Sequence, residues 1–217
     1  ILWRLWKNRN DLVFKGIEFS AKQVILKATE DLEEWNNRKE PQPQKVLPQP
    51  PGMQCRRWQP PSYGWVKCNT DGAWVDVAPN CGVGWVLRNQ FGEVLWMGLR
   101  ALPRVQSMLE TELEALRWAI LSLSRFNYKR VIFESDSQFL VSLIKNNIDH
   151  PSLASRIQDI RNLLHHFDEV RFQFIWREGN RVVDRIARES LSLVNYDPIL
   201  YYVMADWIKH IVVLESV

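Results

Sequence analysis

The sequence predicts an α/β protein: a five-stranded mixed sheet, its first three strands antiparallel, with helices on both faces. Three observations carry this. Three strand-like runs follow one another with no helix between them. Helical and strand-like periodicities then alternate as far as residue 193. Hydrophobic residues make up 46% and charged residues 24% of the 217, a globular balance that excludes wholesale disorder.

The elements read as follows. Residues 64–70 alternate weakly and form the first strand. Residues 81–89 and 93–99 are the second and third, joined by the polar turn Asn89-Gln90-Phe91-Gly92. Residues 107–126 repeat Leu109, Leu113, Leu116, Ala119, Ile120 and Leu123 at helical spacing. Residues 131–133 are a short apolar strand, and 136–145 a helix on Phe139, Leu140, Leu143 and Ile144. A helix over 153–167, an alternating strand over 170–176 and a helix over 180–193 on Val182, Val183, Ile186, Ala187 and Leu191 complete the domain. The later strands are expected to join through right-handed helical crossovers.

This domain, residues 61–193, is preceded by a proline-rich linker over 41–60. Pro41, Pro43, Pro48, Pro50, Pro51 and Pro60 there should hold the chain extended. Residues 1–40 are expected to be a helical segment. Ser20 is positioned to cap a helix over 20–35, and upstream Trp3, Trp6 and Phe14 are mixed with Arg4, Lys7, Arg9 and Lys15. Residues 194–217 read as a C-terminal tail.

Composition narrows the function classes. A net charge of +3 does not by itself make a nucleic-acid binder. Cys55, Cys68 and Cys81 form no CxxC pair, so neither a zinc ribbon nor a disulfide scaffold is indicated. No apolar run approaches the roughly 18 residues of a membrane helix. The opening Ile1-Leu2-Trp3-Arg4 has neither a methionine nor a signal-peptide layout, as expected for a piece of a longer intracellular protein, nuclear or cytoplasmic. A monomer is expected.

Four acids stand where chemistry tends to collect. Asp71 lies at the end of the first strand, in Asn69-Thr70-Asp71-Gly72-Ala73. Asp136 ends the fourth, in Glu134-Ser135-Asp136-Ser137. Neighbouring strand ends converge on one crevice in such sheets. Glu112 and Asp184 border the apolar stripes of their helices. Each has a plainer reading: Asp71 as a turn residue, Asp136 as a helix cap, Glu112 and Glu114 as surface partners of Arg117, and Asp184 as a partner of Arg181, Arg185 or Arg188.

Taken in order, Thr70-Asp71-Gly72-Ala73, Thr111-Glu112-Leu113-Glu114-Ala115-Leu116, Glu134-Ser135-Asp136-Ser137 and Arg177-Glu178-Gly179-Asn180-Arg181-Val182-Val183-Asp184-Arg185-Ile186-Ala187 resemble type 1 ribonuclease H. The opening Trp65-Val66-Lys67-Cys68-Asn69-Thr70-Asp71 and the turn Arg88-Asn89-Gln90-Phe91-Gly92 resemble more narrowly its plant branch, where this domain follows a non-LTR retroelement reverse transcriptase. Leu2-Trp3-Arg4-Leu5-Trp6-Lys7-Asn8-Arg9-Asn10 is similar to the stretch joining the two parts. The resemblance implies a ribonuclease H-like fold, a nucleic-acid partner and an upstream reverse transcriptase region. It implies that Asp71, Glu112, Asp136 and Asp184 are catalytic and hold two Mg²⁺, with Mn²⁺ as a substitute. It also implies endonucleolytic hydrolysis of the RNA strand of RNA–DNA hybrids.

That chemistry suits the residue types. In-line hydrolysis of a phosphodiester needs an activated water and neutralisation of the leaving oxygen, which two Mg²⁺ about 4 Å apart supply. Mg²⁺ prefers carboxylate oxygen. By position, Gly72, Ser107 and Asn180 are candidates for reading the ribose 2′-hydroxyl. Arg177 and Arg181, with Arg185 and Arg188, form either a phosphate-gripping stripe or a face paired with Glu178, Asp184 and Glu189. One departure stands out. Where the plant branch carries His-Val-Pro-Arg-Glu, this chain has Phe174-Ile175-Trp176-Arg177-Glu178, and His150, His165, His166 and His210 lie elsewhere. General acid–base help is worth about 10²–10⁴-fold, so its loss slows rather than abolishes such catalysis. The rival expectation is a catalytically idle ribonuclease H fold that binds nucleic acid or a protein.

Overall fold

The computed structural model describes residues 8–9, 19–37 and 57–216 apart from 77, 147 and 149, with the backbone alone for 30–37 and 216. The chain divides into two compact units, Ile1–Met53 and Gln54–Val217. In the first, α1 spans Ala21–Asn37. Ser20 and Gln23 close its start reciprocally: the Gln23 amide donates to Ser20 Oγ, and the Ser20 amide to Gln23 Oε1. The expected linker over 41–60 and the aromatic stretch over 3–14 lie mostly outside the described residues.

The second unit is a six-stranded sheet in the order β5-β4-β1-β2-β3-β6. Its first strands are β1 (Val66–Ala73), β2 (Asn80–Arg88) and β3 (Val94–Pro103), a consecutive antiparallel meander. Gly92, at φ +79°, closes the turn between β2 and β3 in a conformation that costs glycine nothing. Next comes α2 (Met108–Leu123), whose first turn is capped by Ser107. β4 (Arg130–Ser135) then pairs parallel with β1, in the register Cys68 to Phe133. After α3 (Gln138–Lys145) and α4 (Ala154–Leu164), β5 (Glu169–Phe174) pairs parallel with β4. α5 covers Arg181–Glu189.

The sheet is thus mixed with helices on both faces, as expected, but it has six strands rather than five. β6 (Ile199–Tyr201) adds antiparallel to β3, and α6 (Asp206–Ser216) follows it. Both arise from the stretch read as a tail. Three residues of edge strand are too short for alternation to register.

Alternate side chains send each strand's residues to two cores. On one face Cys68, Val83, Trp85, Leu87, Val131 and Phe133 pack against Leu113, Leu116 and Ile120 of α2, Leu140 and Leu143 of α3, and Ile157 and Ile160 of α4. On the other, Val86, Met97 and Leu99 meet Val182, Val183 and Ile186 of α5 and Ile208 and Val212 of α6. Truncating any of these buried aliphatics to alanine costs about 2–5 kcal/mol. Cys68 and Cys81 are buried free thiols. Among the described residues, no helix is long and apolar enough to cross a membrane.

Candidate active site

Three acids from three elements meet at one end of the sheet. Asp71 lies within β1, opposite Gly84 of β2, so it is a strand residue and not a turn residue. Asp136 directly follows β4, and the cap of α3 is its neighbour Ser137, whose Oγ accepts from the Leu140 amide. Asp136 is thereby free of capping. Glu112 sits in the first turns of α2. Glu114, two residues along, and not Glu112, takes the arginine pairing, with Arg117 at 2.8 Å and Arg156 at 2.6 Å. One carboxylate oxygen from each of Asp71, Glu112 and Asp136 lies within 4.8 Å of the others.

The backbone allows this because Gly72 has no side chain. A Cβ there would lie 2.8 Å from Thr111 Cγ2 and 2.9 Å from the Glu112 nitrogen, so only glycine lets α2 descend this far.

Asp184 on α5 stands close enough for its charge to raise the pKa of both Asp71 and Asp136. It is outside the three-acid group, and its Oδ1 is held by Arg188 one turn along at 3.0 Å. The plainer pairing within the helix is therefore realised for this acid.

Electrostatically the cluster is unsatisfied. Burial pushes the Asp71 carboxyl well above the usual range, and the nearby charges of Asp136 and Asp184 push it further, against Arg177 and Arg188. Burial also raises Glu112 well above its ordinary value, followed by Asp71 and Asp136. The Gly72 backbone opposes this. Asp136 is raised by burial and restrained by Arg177, whose Nε lies 3.4 Å from its Oδ2. Glu112 Oε2 is buried with no hydrogen-bond partner among the described residues. A buried carboxylate oxygen is normally hydrogen-bonded. An orphaned oxygen on an acid grouped with two more carboxylates is what a hard divalent cation would satisfy, so the donor set fits Mg²⁺.

The other expected contacts divide. Arg177 is exposed beside the cluster, and Arg181 is exposed at the start of α5. Ser107 spends its Oγ on the Glu110 amide as the cap of α2. Asn180 is buried, donating from Nδ2 to the Thr70 carbonyl at 3.3 Å, and so supports the strand that carries Asp71. Phe174, where a histidine was looked for, lines a cleft of about 320 Å³ with Lys67, Glu134 and Trp176. Sequence reasoning missed Asn69, Arg88 and Glu134, which are polar yet buried beneath the cluster. The available signal was a charged or amide side chain at positions where strand periodicity points inward.

A family described as reverse transcriptase-like matches residues 69–190, more than half of the chain. A protein of Arabidopsis thaliana that carries a provisional ribonuclease H name is 32% identical over 139 residues, covering 63% of this chain; the chain spans about a fifth of that relative's length, 22%. The crystal structure of RNase H1 from Halobacterium salinarum superposes with a TM-score of 0.55 at 26% identity, covering 58% of this chain and 97% of that one. LC11-RNase H1, solved in complex with an RNA/DNA hybrid, shares the fold with a TM-score of 0.54 at 21% identity, covering 58% of this chain and 96% of that one. With this match running from within β1 through α5 and including the three clustered acids, the chain belongs to the reverse transcriptase-like family and carries a ribonuclease H domain.

Proposed function

We propose that this chain is an endonuclease that hydrolyses the RNA strand of RNA–DNA hybrids, with two Mg²⁺ held by Asp71, Glu112, Asp136 and Asp184. The observation that carries the reading is the convergence of Asp71, Glu112 and Asp136, one carboxylate oxygen of each within 4.8 Å of the others. Bound there, divalent ions would supply an activated water and neutralise charge on the leaving oxygen.

The chain's own residues do the rest. Asp71 and Glu112 are buried and fixed by β1 and α2, so their oxygens are set in place before any ligand arrives. Asp184 is the fourth oxygen donor, its Oδ1 shared with Arg188. Arg177 and Arg188 flank the acids and offer guanidinium groups to the phosphates on either side. A hybrid would be recognised by shape and 2′-hydroxyls rather than by base sequence. With Phe174 in place of a histidine, the leaving group's proton comes from solvent. The same reading gives the domain an upstream reverse transcriptase region in a longer chain, supported by the resemblance over residues 2–10.

The test is cleavage of an end-labelled hybrid with and without Mg²⁺ by wild type, D71N and D136N. The reading expects Mg²⁺-dependent cutting of the RNA strand that both variants lose while retaining hybrid binding. Equal cleavage by wild type and either variant assigns the activity elsewhere. Binding without cleavage by the wild type supports the idle-module alternative.

A further inference from the structure

Beneath the acids runs a buried polar chain that ends on α6, outside the residues matched by the family. Glu215 and Arg88 are both fully buried and paired at 2.6 Å, Arg88 Nη1 donating to Glu215 Oε2. The Val182 amide, in the first turn of the helix that carries Asp184, donates to Glu215 Oε1 at 3.0 Å. Arg88 Nη2 donates to Asn69 Oδ1 at 2.8 Å. Asn69 Nδ2 in turn donates to Glu134 Oε2 and to Asn180 Oδ1, each at 3.1 Å. Asn180 Nδ2 reaches the Thr70 carbonyl at 3.3 Å, and the Asn180 carbonyl accepts from the Asp184 amide at 3.0 Å. Trp58 closes the network from outside, its ring 3.6 Å from the Arg88 guanidinium carbon.

The topology gives this chain a purpose. Asp71, Asp136 and Asp184 sit on β1, just past β4 and on α5, elements far apart in sequence. Asn69 is two residues from Asp71, Glu134 two from Asp136, and Asn180 one turn from Asp184. A single amide, Asn69, touches a residue of each of the other two elements, and its orientation is set by Arg88. Arg88 is oriented in turn by Glu215. Breaking one partner of a buried pair leaves an uncompensated charge, whereas removing both is often tolerated. The cost of burying this ion pair therefore needs a return other than stability.

Resting on the nuclease reading, we infer that Glu215 and Arg88 are positioning residues. Through Asn69 they hold β1, β4 and α5 in the register that lets the acids bind metal together, and α6 is part of the catalytic unit. The test compares wild type with R88M/E215M, which removes both charges and keeps apolar volume. Folding is checked by circular dichroism, kcat and KM are measured on a hybrid, and Mg²⁺ is titrated calorimetrically into the free protein. Loss of a partner that orients metal ligands lowers affinity or activity by about 10–100-fold. The expected result is a folded double variant with kcat lowered about tenfold or more, KM within about twofold of wild type, and weakened Mg²⁺ binding. A folded variant with wild-type kcat and wild-type Mg²⁺ titration overturns the inference, as does a loss confined to KM. If R88M/E215M does not fold, R88K, which keeps a cation for Glu215 but lacks the planar fork that reaches Glu215 and Asn69 together, is read by the same criteria. A wild type that binds Mg²⁺ but never cleaves speaks against the nuclease reading, and the calorimetric comparison then decides the positioning role alone.

Discussion

Gly72 and Glu112 are packed backbone to backbone: a Cβ on Gly72 would come within 2.9 Å of the Glu112 nitrogen. One strand residue thus sets how close α2, and with it Glu112, comes to β1. Gly72→Ala is expected to push α2 away, at about 1–3 kcal/mol for overpacking, and to remove cleavage while hybrid binding persists. A thermal melt and the labelled-hybrid assay check this. A variant that cleaves normally would show that Glu112 does not need this contact.

Glu112 Oε2, buried without a partner, predicts a ligand-dependent gain in stability. Mg²⁺ should raise the melting temperature of wild type, by about 2.7 kcal/mol of stabilisation at a concentration of 100 Kd. Glu112→Gln should abolish most of that response and lower kcat by about 10²-fold or more, because several kcal/mol of charge stabilisation depend on the metal. An undiminished Mg²⁺ response in Glu112→Gln would place the cation at another site.

Much of the site was legible in the sequence because its acids interrupt strong patterns. Asp71 puts a charge on a buried strand, Glu112 borders a helical stripe of leucines, and Asp136 ends an apolar run. The plainer readings failed for reasons no single sequence displays. Ser137, not Asp136, caps α3, and Glu114, two residues along, absorbs Arg117 and Arg156. Asp184 shows the opposite case, since its i,i+4 pairing with Arg188 is visible in the spacing and is formed. β6 and α6 were missed because Ile199–Tyr201 is too short for alternation. The packing of Ile208 and Val212 on α5 is a contact between segments that local periodicity does not reveal. Arg88 and Glu215 are 127 residues apart, beyond any local pattern.

The raised carboxyls predict an unusual pH dependence. Asp71 and Glu112 sit above their ordinary values of 3.8 and 4.5 in the folded protein. The native state therefore holds protons that the unfolded chain has released, so stability falls as pH rises from that ordinary range through the raised values. In a chelator, Asp71→Asn removes one of the like charges and should be more stable than wild type by about 1 kcal/mol, or ~2–4 °C in a domain of this size. That gap should widen as the pH rises and close when Mg²⁺ is added. Melting curves between pH 4 and neutrality, with about 1 mM chelator or excess Mg²⁺, read it out. A gap that narrows with rising pH would mean the acids are not strained by one another.

Arg177 and Arg188 lie over the acids with exposed side chains, 3.4 Å from Asp136 and 3.0 Å from Asp184. Exposed pairs of this kind contribute only about 0–1 kcal/mol, so stability is a poor reason for two arginines to point at the cluster. Phosphate binding is a better one, since a guanidinium can leave an aspartate for a phosphate without being buried. R177A/R188A should therefore melt within about 1 kcal/mol of wild type while raising KM for the hybrid. It should also lower the slope of log affinity against log salt by about one for each phosphate that is no longer gripped. Lys209→Ala, which removes one positive charge from the exposed pair with Asp206, is the control for loss of a surface cation and should leave KM and slope unchanged. If the double arginine variant keeps both the wild-type KM and the wild-type salt slope, the arginines are a paired helix face and the phosphate grip lies on another part of the surface.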